Sequence, residues 1–109
     1  MKDWDKQKPL ILSFIQEHLQ KVSEETIAKA FGISRSYFSR KFKELMGLSF
    51  EHYILTQRLK TAKDIFHQHP SLTIEEVSGL VGFKDMHYFS RQFKRLFSLS
   101  PTHFRHKVR

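Results

Sequence analysis

The chain has 109 residues, 39 % of them hydrophobic and 28 % charged, which is the size and composition of one globular domain. Cysteine is absent, so disulfides, zinc–thiolate sites and thiol catalysis are excluded. No apolar segment approaches the roughly 20 residues that span a bilayer, and the N-terminus lacks the pattern of a signal peptide. We therefore expect a cytoplasmic protein without membrane contacts.

The charge indicates a polyanionic partner. Nineteen basic residues against eleven acidic ones give a formal net charge of +8, and six basic residues but no acidic one follow Asp85. Such clustering is typical of proteins that bind nucleic acid or an anionic membrane. A basic domain without a polyanionic ligand is the alternative that charge alone leaves open.

Three helices are predicted in the first half of the chain from apolar residues at helical spacing and from cap residues. Their N-terminal residues are Pro9, Ser23 and Ser34, and the residues that end them are Gln20, Gly32 and Gly47. The apolar face of the first helix is predicted to consist of Leu10, Ile11, Phe14, Ile15 and Leu19.

Four more helices are predicted in the second half, and the first of them covers residues 50–68. The other three begin at Thr73, Asp85 and Pro101 and end at Gly82, Phe97 and Phe104. In the helix after Thr73 the residues expected to face the core are Val77, Leu80 and Val81. The predicted fold class is therefore all-α, with about seven helices.

An internal repeat relates the two halves of the chain. When the chain is compared with itself at an offset of 51 residues, nine of the thirteen positions in 37–49 are identical to those in 88–100. Upstream of these positions the offset is 50. The second copy thus has one extra residue in its turn, although Ser34 and Asp85 still correspond. A capped helix, a glycine turn and a second capped helix, present twice, predict two helix-turn-helix units. In a single domain 1–109, the two units cover residues 8–47 and 72–107, and the helix at 50–68 joins them.

The second helix of each unit has an apolar face and a basic face on opposite sides. The apolar faces consist of Phe38, Phe42, Leu45 and Met46 in the first copy and Phe89, Phe93, Leu96 and Phe97 in the second. The basic faces consist of Ser36, Ser39, Arg40 and Lys43, and of His87, Ser90, Arg91 and Lys94. For one helix alone, the alternative is a basic face that only contacts solvent. Because the basic face recurs at the same helical phase in both units, we favour the interpretation that the two helices read bases in a DNA major groove.

The second unit also carries a series of motifs in a fixed order. They are Ile74-Glu75-Glu76-Val77, Val81-Gly82-Phe83-Lys84-Asp85, Tyr88-Phe89-Ser90-Arg91-Gln92-Phe93-Lys94, Ser100-Pro101 and Phe104-Arg105. With them the chain resembles the DNA-binding domain of AraC/XylS-type bacterial transcription regulators over residues 8–107. The resemblance implies that a central helix holds two recognition helices, which enter successive major grooves about 34 Å apart.

The same resemblance implies which residues contact DNA. By position, the base-reading residues are Ser36, Ser39 and Arg40 in the first unit and Met86, His87, Ser90 and Arg91 in the second. The residues implied at phosphates are Ser34, Arg35, Lys43, Lys84, Lys94 and Arg105. Ser98 departs from the family, which usually has glycine there, and this predicts local strain if the residue is left-handed.

Two histidine pairs have spacings that metal ligands also use. The pairs are His67 with His69 and His103 with His106, and neither is accompanied by a visible third ligand. We therefore expect neither a metal nor a cofactor.

Three residues allow two interpretations each. Asp85 either forms an ion pair with Arg58 or acts only as the N-cap of its helix. Trp4 lies outside the helical pattern and is either a frayed residue or part of a connection to an upstream domain.

The expected partner is double-stranded operator DNA, and RNA polymerase is a second candidate. Functions from other classes are a protein-interaction module, an enzyme and a membrane-surface helix. No nucleophile–base pair is visible, and the carboxylates mostly lie in first turns of helices, where the helix dipole explains them. We expect a monomeric, non-enzymatic domain that is either a regulator by itself or, as we favour, the C-terminal part of a longer one.

Overall fold

The computed structural model describes residues 3–108, and over these residues it contains seven helices and no strand. The helices are α1 (Trp4–Glu17), α2 (Glu24–Ala30), α3 (Arg35–Met46), α4 (Phe50–Gln68), α5 (Ile74–Leu80), α6 (Met86–Phe97) and α7 (Pro101–Val108). The predicted all-α fold is confirmed, and α4 has the bounds expected for the helix between the two helix-turn-helix units.

The chain divides into two compact units, one up to Leu55 and one from Thr56 onward. The division falls inside α4, so this helix contributes its first residues to one unit and its remaining residues to the other. Each unit thus contains its own helix-turn-helix pair, α2 with α3 and α5 with α6.

The core of the first unit forms around two phenylalanines of α3. Phe38 and Phe42 have no exposed surface, and both rings meet Phe50 edge-on, with centroids 5.5 Å and 5.4 Å away. Ile11 and Ile15 of α1 are buried in the same cluster. Because burial of each such side chain contributes about 1.5–3 kcal/mol, this cluster determines how α3 is rotated about its axis.

The core of the second unit repeats this arrangement around α6. Phe89 and Phe93 are fully buried. The ring of Phe93 lies 5.8 Å from Phe66 of α4 and 5.7 Å from Phe104 of α7, edge-on in both cases. Phe83, in the turn before α6, packs edge-on against Phe89 at 5.0 Å. The rotation of α6 is therefore determined in the same way as that of α3.

Both turns use a glycine with positive φ to end the first helix of the pair. Gly32 has φ 69° and Gly82 has φ 106°, a region that glycine adopts without steric cost. One residue beyond each glycine, a backbone N–H returns to the helix: Ile33 to the carbonyl of Ala28 at 3.0 Å, and Phe83 to that of Ser78 at 2.9 Å. The predicted extra residue of the second turn lies after this shared part.

The predicted start of α1 is wrong. The helix begins at Trp4 because the Asp3 carboxylate accepts hydrogen bonds from the backbone N–H groups of Asp5 and Lys6, at 3.0 Å and 3.3 Å. Pro9 lies inside the helix, where its missing N–H removes only one backbone bond. The end is also earlier than Gln20: α1 stops at Glu17, and the backbone N–H groups of Lys21 and Val22 donate to the carbonyl of His18, at 2.9 Å and 2.7 Å.

Three leucines predicted to face the core are instead exposed. Leu10, Leu80 and Leu96 have 58 %, 52 % and 43 % of their surface accessible. Their neighbours on the helical wheel already fill the core: Ile11 replaces Leu10, for example, at 1 % exposure. The apolar stripe of these helices is therefore narrower than the sequence pattern suggested.

The last helix is longer than predicted, ending at Val108 instead of Phe104. Its final turn contains Arg105, His106 and Lys107, and positive charge at a helix C-terminus is favourable because of the helix dipole.

The helices α3 and α6 end in the same left-handed conformation with different residues. Gly47 has φ 78° and Ser98 has φ 64°, and the backbone N–H of each reaches a lysine carbonyl at 2.8 Å. Ser98 is thus the left-handed residue at which the sequence predicted strain, because a Cβ is unfavourable in this region.

We expect Ser98→Gly to raise the free energy of unfolding by about 0.5–1 kcal/mol, since it removes most of this backbone strain. The reciprocal control is Gly47→Ser, which should lower it by a similar amount. Apart from the adjoining backbone, no atom of residues 3–108 lies within 4 Å of the position of a Cβ at Gly47, so the effect would come from backbone conformation alone. Urea unfolding followed by circular dichroism measures both, and a destabilising Ser98→Gly would contradict the strain.

Candidate nucleic-acid interface

The basic face of α3 is opposite its buried phenylalanines. Arg40, Ser36 and Lys43 are exposed, and Ser39 is half-buried at the edge of the face. Phe38 and Phe42 are completely covered on the other side. The first unit therefore presents the predicted basic face to solvent.

The basic face of α6 has the same disposition. His87, Arg91 and Lys94 are exposed, whereas Ser90 is half-buried like its counterpart in α3. Met86, predicted to contact a thymine methyl, is half-buried at the first position of the helix. In both units, the predicted burial of the phenylalanines and exposure of the arginine are confirmed.

The N-termini of both helices are closed by side-chain caps. The Ser34 hydroxyl accepts a hydrogen bond from the N–H of Tyr37 at 3.1 Å. In α6, one carboxylate oxygen of Asp85 accepts from the N–H groups of His87 and Tyr88, at 2.8 Å and 3.3 Å. Asp85 is thus the N-cap of α6.

These contacts lower the pKa of Asp85 below its ordinary value of 3.8. The largest causes are the backbone hydrogen bonds from Tyr88 and His87, to which the positive charges of His87 and Arg91 add. In α4, partial burial of Arg58 lowers the pKa of that guanidinium through desolvation.

The guanidinium of each basic face also lies over a tyrosine ring one turn earlier. The Arg40 Cζ atom is 5.5 Å from the centroid of Tyr37, and the Arg91 Cζ atom is 5.9 Å from that of Tyr88. Both distances fall within the range of a cation–π interaction. The tyrosines were not among the predicted site residues, although their identical i, i+3 position before the arginine in both repeats could have indicated them.

The six residues expected at phosphates differ in what they contact. Lys43, Lys84 and Lys94 are exposed, and Ser34 is the cap of α3. Arg35 lies 3.5 Å from a carboxylate oxygen of both Glu24 and Glu25 on α2. These surface ion pairs are worth at most about 1 kcal/mol each, so Arg35 can exchange them for another anion.

Arg105 is held more firmly within its own unit. Its Nη2 donates to the carbonyl of Pro70 at 3.2 Å, and its Nε is buried without a hydrogen-bond partner among the described residues. The side chain is half-buried, in contrast to the exposed lysines. Its guanidinium thus ties α7 to the turn before α5.

The histidines outside α6 are at the surface. His67, His69, His103 and His106 are all exposed, and the ring of His67 meets Phe104 edge-on at 5.1 Å. Between residues 3 and 108, no three histidine or carboxylate side chains come together as ligands of one metal ion. Within the same range, no helix combines the length and the apolarity needed to cross a membrane.

Trp4 belongs to the first unit and contacts α3, the second helix of that unit's helix-turn-helix pair. Its ring meets Tyr37 edge-on at 5.9 Å and lies 6.4 Å from Phe38. Its indole N–H donates to the Tyr37 hydroxyl at 3.5 Å. The interpretation of Trp4 as a frayed residue is therefore wrong, because α1 begins early enough to bring it against α3.

Comparison with known proteins agrees with this architecture. The chain matches the family described as a helix-turn-helix domain over residues 27–107. The Msm operon regulatory protein of Streptococcus mutans is 40 % identical over 82 residues, which make up 75 % of this chain and 29 % of that protein.

Two solved structures have closely similar folds. The C-terminal domain of AraT, a response regulator from Geobacillus stearothermophilus, is 30 % identical, with a TM-score of 0.82 over 91 % of this chain and 83 % of that one. The DNA-binding domain of AdpA, a global transcriptional factor in complex with a target DNA, is 27 % identical, with a TM-score of 0.83 over 93 % and 91 %. The chain belongs to the AraC-type helix-turn-helix family.

The match concerns only part of the related proteins. The chain spans between 29 % and 40 % of the length of the curated relatives that it matches. The resemblance recognised in the motifs of the second unit is confirmed at the level of the family.

The pKa of Asp85 predicts how acid affects stability. A carboxyl whose pKa is lowered by folding stabilises the native state above its unfolded pKa, near 3.9, and this stabilisation is lost as the pH falls through the lower folded value. The wild type should be more stable than Asp85→Asn at neutral pH, and the difference should shrink below about pH 4.

Thermal unfolding between pH 7 and pH 2 measures this difference. Ser34→Ala, which removes the uncharged cap of the corresponding helix, is the matched control, and its deficit should not change with pH. A difference between wild type and Asp85→Asn that stays constant would contradict the charged cap.

Proposed function

We propose that this chain is the sequence-specific, double-stranded DNA-binding domain of a bacterial transcription regulator, with α3 and α6 inserted into successive major grooves. The observation that carries the proposal is the basic face, exposed at the same helical phase on both helices and opposite fully buried phenylalanines. Family membership and the similarity to a domain solved with DNA support it.

Within this proposal, base reading falls to the two basic faces and the start of α6. Arg40 and Arg91 present planar guanidinium groups that can donate two hydrogen bonds to the O6 and N7 atoms of guanine. The short polar residues beside them, Ser36, Ser39, His87 and Ser90, can bind base edges or phosphates directly or through water. Met86 supplies an apolar contact suited to a thymine methyl group.

Phosphate binding would supply most of the affinity. Lys43, Lys84 and Lys94 are exposed and available as point charges, and Arg35 can leave its surface carboxylates for a phosphate. For Arg105, the bond to Pro70 leaves only part of the guanidinium for that purpose. Of the six residues proposed to contact phosphates, the three lysines are thus the strongest candidates.

The domain limits and the whole protein's behaviour are proposals of the same kind. We assign residues 8–47 and 72–107 to the two DNA-binding units and 50–68 to the helix between them. The greater length of the relatives supports a place in a longer regulator, and the similarity to the C-terminal domain of AraT supports a place at its C-terminus. We propose that this regulator is cytoplasmic. We further propose that the isolated domain is monomeric and has no enzymatic activity, and that RNA polymerase is a second partner of the regulator.

Salt dependence separates DNA binding from a role in protein interaction alone. If six to eight phosphates are contacted, the logarithm of the association constant should fall with the logarithm of salt concentration with a slope of about −5 to −7. Fluorescence anisotropy on a site selected from random DNA measures this slope. Binding that does not change between 50 mM and 200 mM salt would contradict the proposal.

Two substitutions on α6 distinguish base reading from phosphate binding. Arg91→Ala should weaken binding to the selected site by about 1–3 kcal/mol and relax the preference at one base pair. Lys94→Ala, one turn further along the same face, should weaken binding to all sequences about equally. Competition between the selected site and single-base variants measures both, and equal losses on every sequence for Arg91→Ala would exclude base reading by this residue.

A further inference from the structure

Each basic face has an aromatic ring beneath its arginine. The ring belongs to Tyr37 in α3 and to Tyr88 in α6, and in both helices it lies three residues before the arginine. This spacing places the two side chains on the same side of a helix. The geometry recurs in two units whose surroundings differ, so it follows from the repeated Tyr-Phe-Ser-Arg sequence itself.

An arginine without such a ring would sample many rotamers at the surface. Fixing a long side chain in one of them costs entropy when the DNA binds. A tyrosine ring within cation–π distance reduces the number of rotamers already in the free protein. The guanidinium plane, on which recognition of guanine by two parallel hydrogen bonds depends, is then oriented before the encounter.

The two rings are themselves supported in different ways. Tyr37 is half-buried, and the indole of Trp4 both packs against its ring and donates to its hydroxyl. Lys41 also lies over this ring, at 5.8 Å, so Arg40 is not its sole cation. Tyr88 is 41 % exposed and rests against Phe83 at 6.1 Å, and Arg91 lies over its ring.

We propose that Tyr37 and Tyr88 are positioning residues that orient Arg40 and Arg91 for base reading, and that they contribute to sequence discrimination more than to general DNA affinity. This inference rests on the proposed function of the basic faces. The α6 pair offers the cleaner test, because among residues 3–108 its ring has no second cation over it and no tryptophan bound to its hydroxyl.

The experiment compares Tyr88→Leu, which removes the ring, with Tyr88→Phe, which keeps the ring and removes only the hydroxyl. Tyr88→Leu should weaken binding to the selected site about two- to fivefold, the range of one exposed cation–π interaction. It should also relax the preference at the base pair that Arg91→Ala affects, and leave binding to scrambled DNA unchanged. Tyr88→Phe should bind and discriminate like the wild type.

A double-mutant cycle shows whether the tyrosine acts through the arginine. In the Arg91→Ala background, Tyr88→Leu should have no further effect on affinity or discrimination. The base pair affected by Arg40→Ala serves as an internal control, since its discrimination should be the same in Tyr88→Leu and in the wild type. An equal loss with and without Arg91, or on all sequences, would overturn the inference and indicate a direct DNA contact or a structural role.

A measurement without DNA separates this inference from the proposed function. In the free domain, NMR signals of the Arg91 side chain should carry a ring-current shift that Tyr88→Phe retains and Tyr88→Leu loses. Unchanged Arg91 signals in Tyr88→Leu would show that the ring does not hold the guanidinium, even if the domain binds DNA normally. A domain that shows the shift but has no affinity for any DNA sequence would instead contradict the proposed function.

Discussion

Burial of two phenylalanines on each recognition helix is the constraint on which the rest of the structure depends. Phe38 with Phe42, and Phe89 with Phe93, are completely covered and lie one helical turn apart, so a single rotation of the helix buries both. Any other rotation would expose an aromatic ring at a cost of roughly 1.5–3 kcal/mol. The basic face of each helix is exposed because it lies opposite these phenylalanines.

The turns and the helix caps are also repeated in the two units. In each unit a glycine with positive φ ends the first helix, and a polar side chain caps the second. The second turn holds one more residue, and its cap is an aspartate where the first has a serine. The consequence is electrostatic: α6 begins with a carboxylate that accepts from the backbone N–H groups of His87 and Tyr88, whereas α3 begins with a neutral hydroxyl.

The two helices of each helix-turn-helix pair differ in where they carry acidic residues. The first helix of each pair carries acidic residues in its first turn, Glu24 and Glu25 in α2 and Glu75 and Glu76 in α5, where the helix dipole favours them. The second helix of each pair has no acidic residue in its first turn. Positive potential is thereby concentrated on the helices that we propose enter the grooves.

Much of this could be read from local sequence. The repeat, the glycine turns, the caps and the faces of α3 and α6 follow from residue spacing, because helix periodicity and capping are properties of a few consecutive residues. The bounds of α4 were also foreseen. Strain at Ser98 was expected from the family resemblance on the condition that the residue is left-handed, and this condition is met. Prediction failed at the start of α1, where the local cap at Asp3 was overlooked. It also failed at Leu10, Leu80 and Leu96, where neighbouring residues fill the core instead.

The partners of the arginines could not be derived in this way. Arg35, Arg40 and Arg105 are the same residue type, yet their contacts differ. Arg35 pairs with carboxylates of α2, Arg40 lies over a tyrosine ring, and Arg105 donates to the carbonyl of Pro70. The contact between Trp4 and Tyr37 likewise joins residues 33 positions apart. Periodicity assigns a side chain to a face of its helix, but its neighbours are known only when separate helices pack, because burial of the aromatic rings selects which surfaces meet.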